Sequence, residues 1–213
     1  MPDQQVRHPL FARFYARLSA SMEAAGVGEI RSQLLSGLTG TVVEAGAGNG
    51  LNFSHYPDSV TSVLAVEPEP HLRGIAEHAA AAASVPVKVV DGTAEQLPAA
   101  DGSADAVVAT LMLCSVADMG VALAEMRRVL RPGGQLVFME HVRADSRLCR
   151  RVQQLADATV WPACFGGCHA YRDPVAAIKA AGFTVPGMTK YRLPESRFPW
   201  PTAPHARGIA LRS

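Results

Sequence analysis

The stretch Val42-Val43-Glu44-Ala45-Gly46-Ala47-Gly48-Asn49-Gly50 constrains this chain more than any other. A short β-branched run ends in an acid, then in three glycines at alternate positions. Leu51-Asn52-Phe53 beyond them can open a helix. Strand, tight turn and helix in that order begin an open α/β sheet. Gly46 and Gly48 permit a sharp turn and let a ligand approach the backbone with no Cβ in the way. In such sheets ligands lie beyond the carboxyl ends of the strands, where this turn sits. The plainer alternative is a strand-to-helix loop that merely happens to be glycine-rich, since short glycine motifs are weak evidence alone.

The rest of the chain continues the alternation. Residues 7–38 read as helices, with Leu10, Phe11, Phe14, Leu18 and Met22 as an apolar stripe expected to pack inward, and Gly26 and Gly28 as a break. Phe11, Phe14 and Tyr15 are candidates for a lid. Val60–Val66, Val85–Val90, Ala104–Leu111 and Gln135–His141 read as strands. An alanine-rich helix over 69–83 and a helix capped by Asp118, with arginines in its last turn, fall between them. Strict alternation predicts a parallel, doubly wound sheet. The tail differs: a helix over 147–161, a loop through Cys168-His169, a helix over 173–181 ended by Gly182, and two last strands, Phe183–Leu193 and Ala206–Leu211. These two suggest a hairpin-like antiparallel edge joined by the proline-rich loop 194–204. One domain over 1–213 is expected, divided into a helical lid (1–40), a cofactor-binding core (41–141) and substrate-side helices with closing strands (142–213).

Composition excludes several classes. A hydrophobic fraction of 48% supports a core, and a formal net charge of +1 provides no field to draw nucleic acid. No run approaches the roughly 18 apolar residues of a membrane span. Asp3, Arg7 and Arg13 break the N-terminus too often for a signal peptide. Four cysteines, Cys114, Cys149, Cys164 and Cys168, suggest free thiols and a cytoplasmic setting. Monomer and homodimer are both compatible with the sequence.

Three acids stand at three strand ends: Glu44, Glu67 and Asp91. A carboxylate after the second strand is placed to accept from both hydroxyls of a ribose. Asp91, among small neighbours, suits an adenine amine. Glu44 is near enough to order the glycine loop or to meet a cationic part of the ligand. A nicotinamide dinucleotide is the competing ligand, with the spacing G-x-G-x-x-G and a pyrophosphate on the helix N-terminus. Here the glycines run G-x-G-x-G, with bulky Leu51 where the last glycine should fall. A ligand with adenosine and no phosphate fits better, and S-adenosylmethionine is one.

The chain resembles the class I S-adenosylmethionine-dependent methyltransferases from about Phe11 to Leu211. Glu44 to Gly50 is similar to the family's first motif, with Asn49 where threonine is common. Glu67 is similar to its ribose-binding acid, Asp91 to Pro98 to its adenine-side motif, and Arg127 to Gly134 to the segment before the fifth strand. The resemblance implies a Rossmann-like, mostly parallel seven-stranded sheet with an antiparallel last strand and helices on both faces. It implies cofactor contacts from Glu44, Gly46, Ala47, Gly48, Asn49, Asn52, Glu67, Pro68, Gly92, Thr93, Ala94, Leu111 and Cys114. A narrower resemblance, to the methyltransferase-like thiol S-methyltransferases of eukaryotic membranes, rests on Thr110 to Val116, Phe138 to Val142, Gly167-Cys168 and Pro204-His205. That subgroup's membrane anchor has no counterpart in this sequence.

Methyl transfer from a sulfonium requires an in-line, water-free approach and an unprotonated nucleophile. For a thiol with an ordinary pKa of about 8.5, a nearby base or cation supplies thiolate at neutral pH. His141, at the end of the fifth strand, is the first catalytic candidate, with Tyr15, His169 and Tyr171 behind it; a hydrogen-bonded structural histidine is the competing reading of His141. Trp161, Phe165 and Tyr171 suit the wall of an apolar acceptor site. Cys164, Cys168 and His169 lack a fourth ligand nearby, so no metal is expected. The leading function is methyl transfer to a small-molecule acceptor, a thiol first, an amine, lipid headgroup or natural-product intermediate next. A nucleotide-cofactor oxidoreductase and a non-catalytic binding relative remain as other classes.

Overall fold

A computed structural model describes residues 9–195 and 198–213. Asp3, Arg7 and the first two residues of the expected N-terminal helix lie outside them. Helix α1 (Pro9–Met22) runs through a wide turn at Glu23–Val27 into α2 (Gly28–Leu35). Gly26 makes the break with a φ of 109°, an angle open to glycine. Strand β1 (Gly40–Ala45), β2 (Val60–Val66), α3 (Pro70–Ala81), β3 (Val87–Val90), β4 (Ala104–Thr110), α4 (Met119–Val129) and β5 (Leu130–His141) follow in alternation. The tail holds α5 (Arg147–Asp157), α6 (Trp161–Cys164), α7 (Pro174–Ala180), β6 (Phe183–Arg192) and β7 (Pro204–Arg212).

The seven strands lie in the order β3-β2-β1-β4-β5-β7-β6. Strands β1 to β5 pair in parallel, while β7 inserts between β5 and β6 antiparallel to both. This is the expected sheet. The central strands are buried on both faces; β4 is nearly solvent-free from Ala106 to Thr110, as parallel strands under two helical layers must be. One layer of core groups Leu123, Met126, Leu136, Phe138 and Ile178. The other groups Leu35, Leu38, Phe53, Tyr56 and Val137.

Several expectations are corrected. Leu51-Asn52-Phe53 opens no α-helix; only a single 3₁₀ turn forms, Phe53–His55. Pro57 ends it, because a residue before proline is driven out of the helical region, and Tyr56 sits at ψ 130°. Three of the five residues in the apolar stripe of α1 face outward: Leu10 is 83% exposed, Phe14 51% and Leu18 40%, while Phe11 and Met22 are half-buried and the residues that α1 buries are Ala12 and Ser19. The helix expected over 147–161 stops at Asp157, and the four-residue α6 begins at Trp161.

Candidate active site

The glycine turn is built on a left-handed backbone. Gly46 and Gly48 have φ of 67° and 58°. Glu67, just past β2 and buried, ties this turn down: its Oε2 accepts from the Gly48 N–H at 2.7 Å and its Oε1 from the Glu69 N–H at 2.9 Å. Each carboxylate oxygen keeps a second lone pair. Burial raises the Glu67 pKa, opposed by these two backbone bonds. The adenine-side turn closes with the Gln96 N–H on the Thr93 carbonyl. Asp91 is 64% exposed, and its carboxylate is paired with Arg73.

Glu44 lies at the base of the loop, 1% exposed. Its oxygens accept from Asn52 Nδ2 at 2.8 Å and from the Tyr56 hydroxyl at 2.6 Å. Asn52 gives its second proton to Thr110 and accepts from Arg31 at 2.7 Å. Glu44 and Asn52 thus spend their polar atoms bracing the loop from behind. Burial pushes the Glu44 carboxyl up to about 7, against its bonds to Tyr56 and Asn52. Arg31, buried within α2, was not singled out in the sequence; its partners in the fold, Glu23, Asn52 and Thr110, mark it.

At the end of β4 the chain turns through Leu111, a non-glycine residue at φ 57°. Such strain persists where surroundings fix it. Here the Leu111 N–H donates to the Met139 carbonyl, and Glu140 Oε1 accepts from the amides of Met112 and Leu113, each at 3.0 Å. Glu140 is fully buried, and burial, then the neighbouring Cys114, raise its pKa well above the usual carboxylate range. The sequence offered Glu140 only as a letter in a motif.

This turn delivers Cys114 to the end of β5, where His141 waits and where the tail loop returns. Cys168 Sγ lies 3.7 Å from His141 Nδ1. The three donor atoms of Cys114, His141 and Cys168 lie within 4.8 Å of one another. The Cys168 neighbour and then burial push the Cys114 thiol well up. His169 holds the loop rather than joining the group: its N–H donates to the Cys114 carbonyl at 2.9 Å, while its ring faces Asp157 and is 39% exposed. Cys164 is exposed. The sequence grouped Cys168 with Cys164 and His169; the fold groups it with Cys114 and His141.

Tyr15 reaches this region from α1. Among the described residues, a Cβ on Gly48 would meet the Tyr15 ring at 3.6 Å and, its chain neighbours aside, nothing else within 4 Å. Burial raises the Tyr15 pKa; Arg31 opposes, while Glu67, Cys114 and Glu140 add to the rise. One ring therefore feels both the Glu67 side and the Cys114 side of the site. Phe11, stacked on Tyr15 with centroids 5.6 Å apart, occupies the space a side chain on Gly166 would need. Phe14, the third lid candidate, faces solvent. Trp161 and Phe165 stack at 4.0 Å, and Tyr171 lies under the Arg143 guanidinium.

Five buried side-chain polar atoms have no partner among the described residues. Four belong to Glu140, Trp161, Tyr191 and His205, on the segments around His141. Buried orphans are rare and call for a ligand or water. His205 pairs with His141 in the β5–β7 register, their rings edge to face at 4.7 Å. Its Nδ1–H donates to the Ala203 carbonyl, and burial brings its pKa down to about 3, so its orphaned Nε2 is a lone-pair acceptor. Two surface recesses, about 590 Å³ between α4 and α7 and about 530 Å³ along β6, share no residue with this site.

The residues fit S-adenosylmethionine. The Gly48 face is open to a ligand under the Tyr15 ring, and the Glu67 carboxylate is fixed beside it with lone pairs to spare. A glycine-turned, doubly wound sheet with this site at the strand ends defines an S-adenosylmethionine-dependent methyltransferase. Residues 43–138 match the methyltransferase domain family. The chain belongs to the class I S-adenosylmethionine-dependent methyltransferases, and S-adenosylmethionine is its cofactor. Two curated relatives are similar across most of both chains. One is thiol S-methyltransferase TMT1A of Homo sapiens, 34% identical over 81% of this chain and 70% of the relative. The other is thiol S-methyltransferase TMT1B of Mus musculus, 33% identical over 95% and 83%. The fold is also that of a putative methyltransferase from Bacillus halodurans, with a TM-score of 0.71 at 14% identity over 85% of this chain and 98% of that one. No helix among the described residues is long and apolar enough to cross a membrane.

Proposed function

We propose that this enzyme transfers the methyl group to the sulfur of a small thiol. The carrying observation is the corner formed by Cys114, His141 and Cys168 at the ends of β4 and β5, in a chain similar to two named thiol S-methyltransferases. Bound S-adenosylmethionine supplies an electrophilic methyl group. Gly46, Ala47, Gly48, Asn49, Glu67, Pro68, Gly92, Thr93, Ala94, Leu111 and Cys114 line its place, with Glu44 and Asn52 bracing the loop. Tyr15 separates cofactor from acceptor and keeps water out. His141 acts on the acceptor sulfur and favours its thiolate, while His169 positions the Cys168 loop by its backbone. Phe11, Trp161 and Phe165 give the acceptor an apolar wall. A cytoplasmic setting and a small-molecule partner are part of this reading.

The test is a panel of small thiols, amines and phenols with labelled methyl donor. Thiols are expected to be methylated in preference, with His141→Ala lowering thiol turnover roughly 10–100-fold, the scale of a lost acid–base or charge-stabilising group, and leaving S-adenosylhomocysteine affinity unchanged. Preferential methylation of an amine or phenol removes the thiol reading.

A further inference from the structure

Cys114, His141 and Cys168 come from three separate segments, which are tied to one another and to the sheet. Glu140 holds the turn before Cys114 through the Met112 and Leu113 amides. The Cys168 loop is tied down by the His169 N–H on the Cys114 carbonyl and by the Ala170 and Tyr171 amides on Asp157. His141 is set by pairing with β7. The thiols are buried, at 1% and 6% exposure, and the imidazole is partly open.

The spacing has a chemical meaning. Tetrahedral zinc, with Zn–S near 2.3 Å and Zn–N near 2.0 Å, sets its ligand atoms roughly 3.5–3.8 Å apart. The Cys168 Sγ to His141 Nδ1 distance of 3.7 Å is such an edge, and all three donors fall within 4.8 Å. A histidine that ligates through Nδ1 has an Nε2–H to donate outward. Beside the His141 ring stands the His205 ring, edge to face with centroids 4.7 Å apart.

We propose that Cys114, His141 and Cys168 form a three-ligand site for a soft divalent cation, zinc by its donor set, with a fourth position open. Two thiolates and one imidazole with an open position are a catalytic rather than a structural zinc set. The site itself does not depend on the acceptor. Only the role of the open position rests on the thiol reading above. A thiol entering there ligates as thiolate and releases its proton to solvent. Its sulfur then forms the S–C bond to the methyl carbon as the sulfonium C–S bond breaks, and that electron pair stays on the sulfur of S-adenosylhomocysteine. His141 then favours the thiolate as a ligand of the cation.

Anaerobic titration of reduced, chelator-stripped protein with Co²⁺ tests the site. One Co²⁺ per chain is expected, with an intense near-ultraviolet sulfur-to-cobalt band and tetrahedral visible bands, displaced by one equivalent of Zn²⁺. Cys114→Ser and Cys168→Ser should each weaken binding at least tenfold, and Cys149→Ser should leave it unchanged. Far-ultraviolet circular dichroism and a cooperative urea transition check that each variant folds; if a serine variant fails that check, His141→Ala gives the same readout at a less buried position. Absence of stoichiometric binding to the reduced protein overturns the site, as does binding that survives both serine changes or a Cys114–Cys168 disulfide formed in its place. Thiol methylation by a protein that binds no cation removes the site and leaves the acceptor reading. Cation binding without thiol methylation keeps the site and removes that reading.

Discussion

In the proposed cofactor site Gly48 presents bare backbone. At φ 58° a side chain is strained, and its Cβ would project toward the Tyr15 ring where the ligand must pass. Gly48→Val should therefore abolish binding of S-adenosylhomocysteine in calorimetry while the far-ultraviolet circular dichroism of the sheet is retained. Normal affinity in that variant would make the turn a mere connection. Leu111 is the reverse case, a bulky residue held at φ 57° by its bond to Met139 and by Glu140. No sequence rule flags it, because nothing about leucine predicts a left-handed backbone.

The informative element is α1. Its 3.6-residue period is real, but most of the stripe it defines looks outward, with Leu10, Phe14 and Leu18 exposed and Phe11 and Met22 half-buried. Periodicity says that a helix has two faces and leaves open which one meets the sheet. The helix instead seats Ala12 and Ser19, the latter through Asn49 Nδ2 at 3.1 Å, and sends Phe11 and Tyr15 over the site. With so little buried area α1 should open locally long before the sheet unfolds. Hydrogen exchange should find α1 amides among the fastest of the regular elements. Bound S-adenosylhomocysteine should slow them, since Tyr15 closes on Gly48. Equal protection of α1 and β4, or no slowing by the ligand, would remove the lid role.

At the scale of the whole molecule, the buried groups Glu44 and His205 contribute opposing pH slopes. Glu44 titrates near 7 in the fold against an ordinary 4.5, so the folded state holds its proton more tightly. Its contribution to stability is fully present below about 4.5 and falls as pH rises toward 7. His205 titrates near 3 against an ordinary 6.5; its contribution rises with pH between those values. Between pH 4.5 and 6.5 the two oppose each other. Burial raises Glu67 and Glu140 as well, so they share the sign of Glu44; Glu44→Gln removes the Glu44 share of the falling slope and keeps a partner for Tyr56 and Asn52. Urea unfolding over that window should show the variant gaining stability with pH more steeply than the wild type, by up to about 1.4 kcal/mol per pH unit. Parallel profiles would mean that Glu44 stays ionised in its buried place.

The sequence by itself determined the parallel sheet, the glycine turn and the acid after β2. These follow from local period, from the conformational freedom of glycine and from strand-end position, all readable over a few residues. It also supplied His141 and Tyr15 as site candidates through their places at a strand end and on the first helix. Tertiary structure alone decided which donors meet. Cys168 is four residues from Cys164 in the chain, yet the loop held by Asp157 and the Cys114 carbonyl carries it to Cys114, 54 positions away. It decided too that Glu44 and Asn52 face inward on each other, and that Glu140 braces the turn before Cys114. Which side chains meet depends on packing between segments far apart in sequence. Local chemistry does not encode that; the closing of the sheet around its crossovers does.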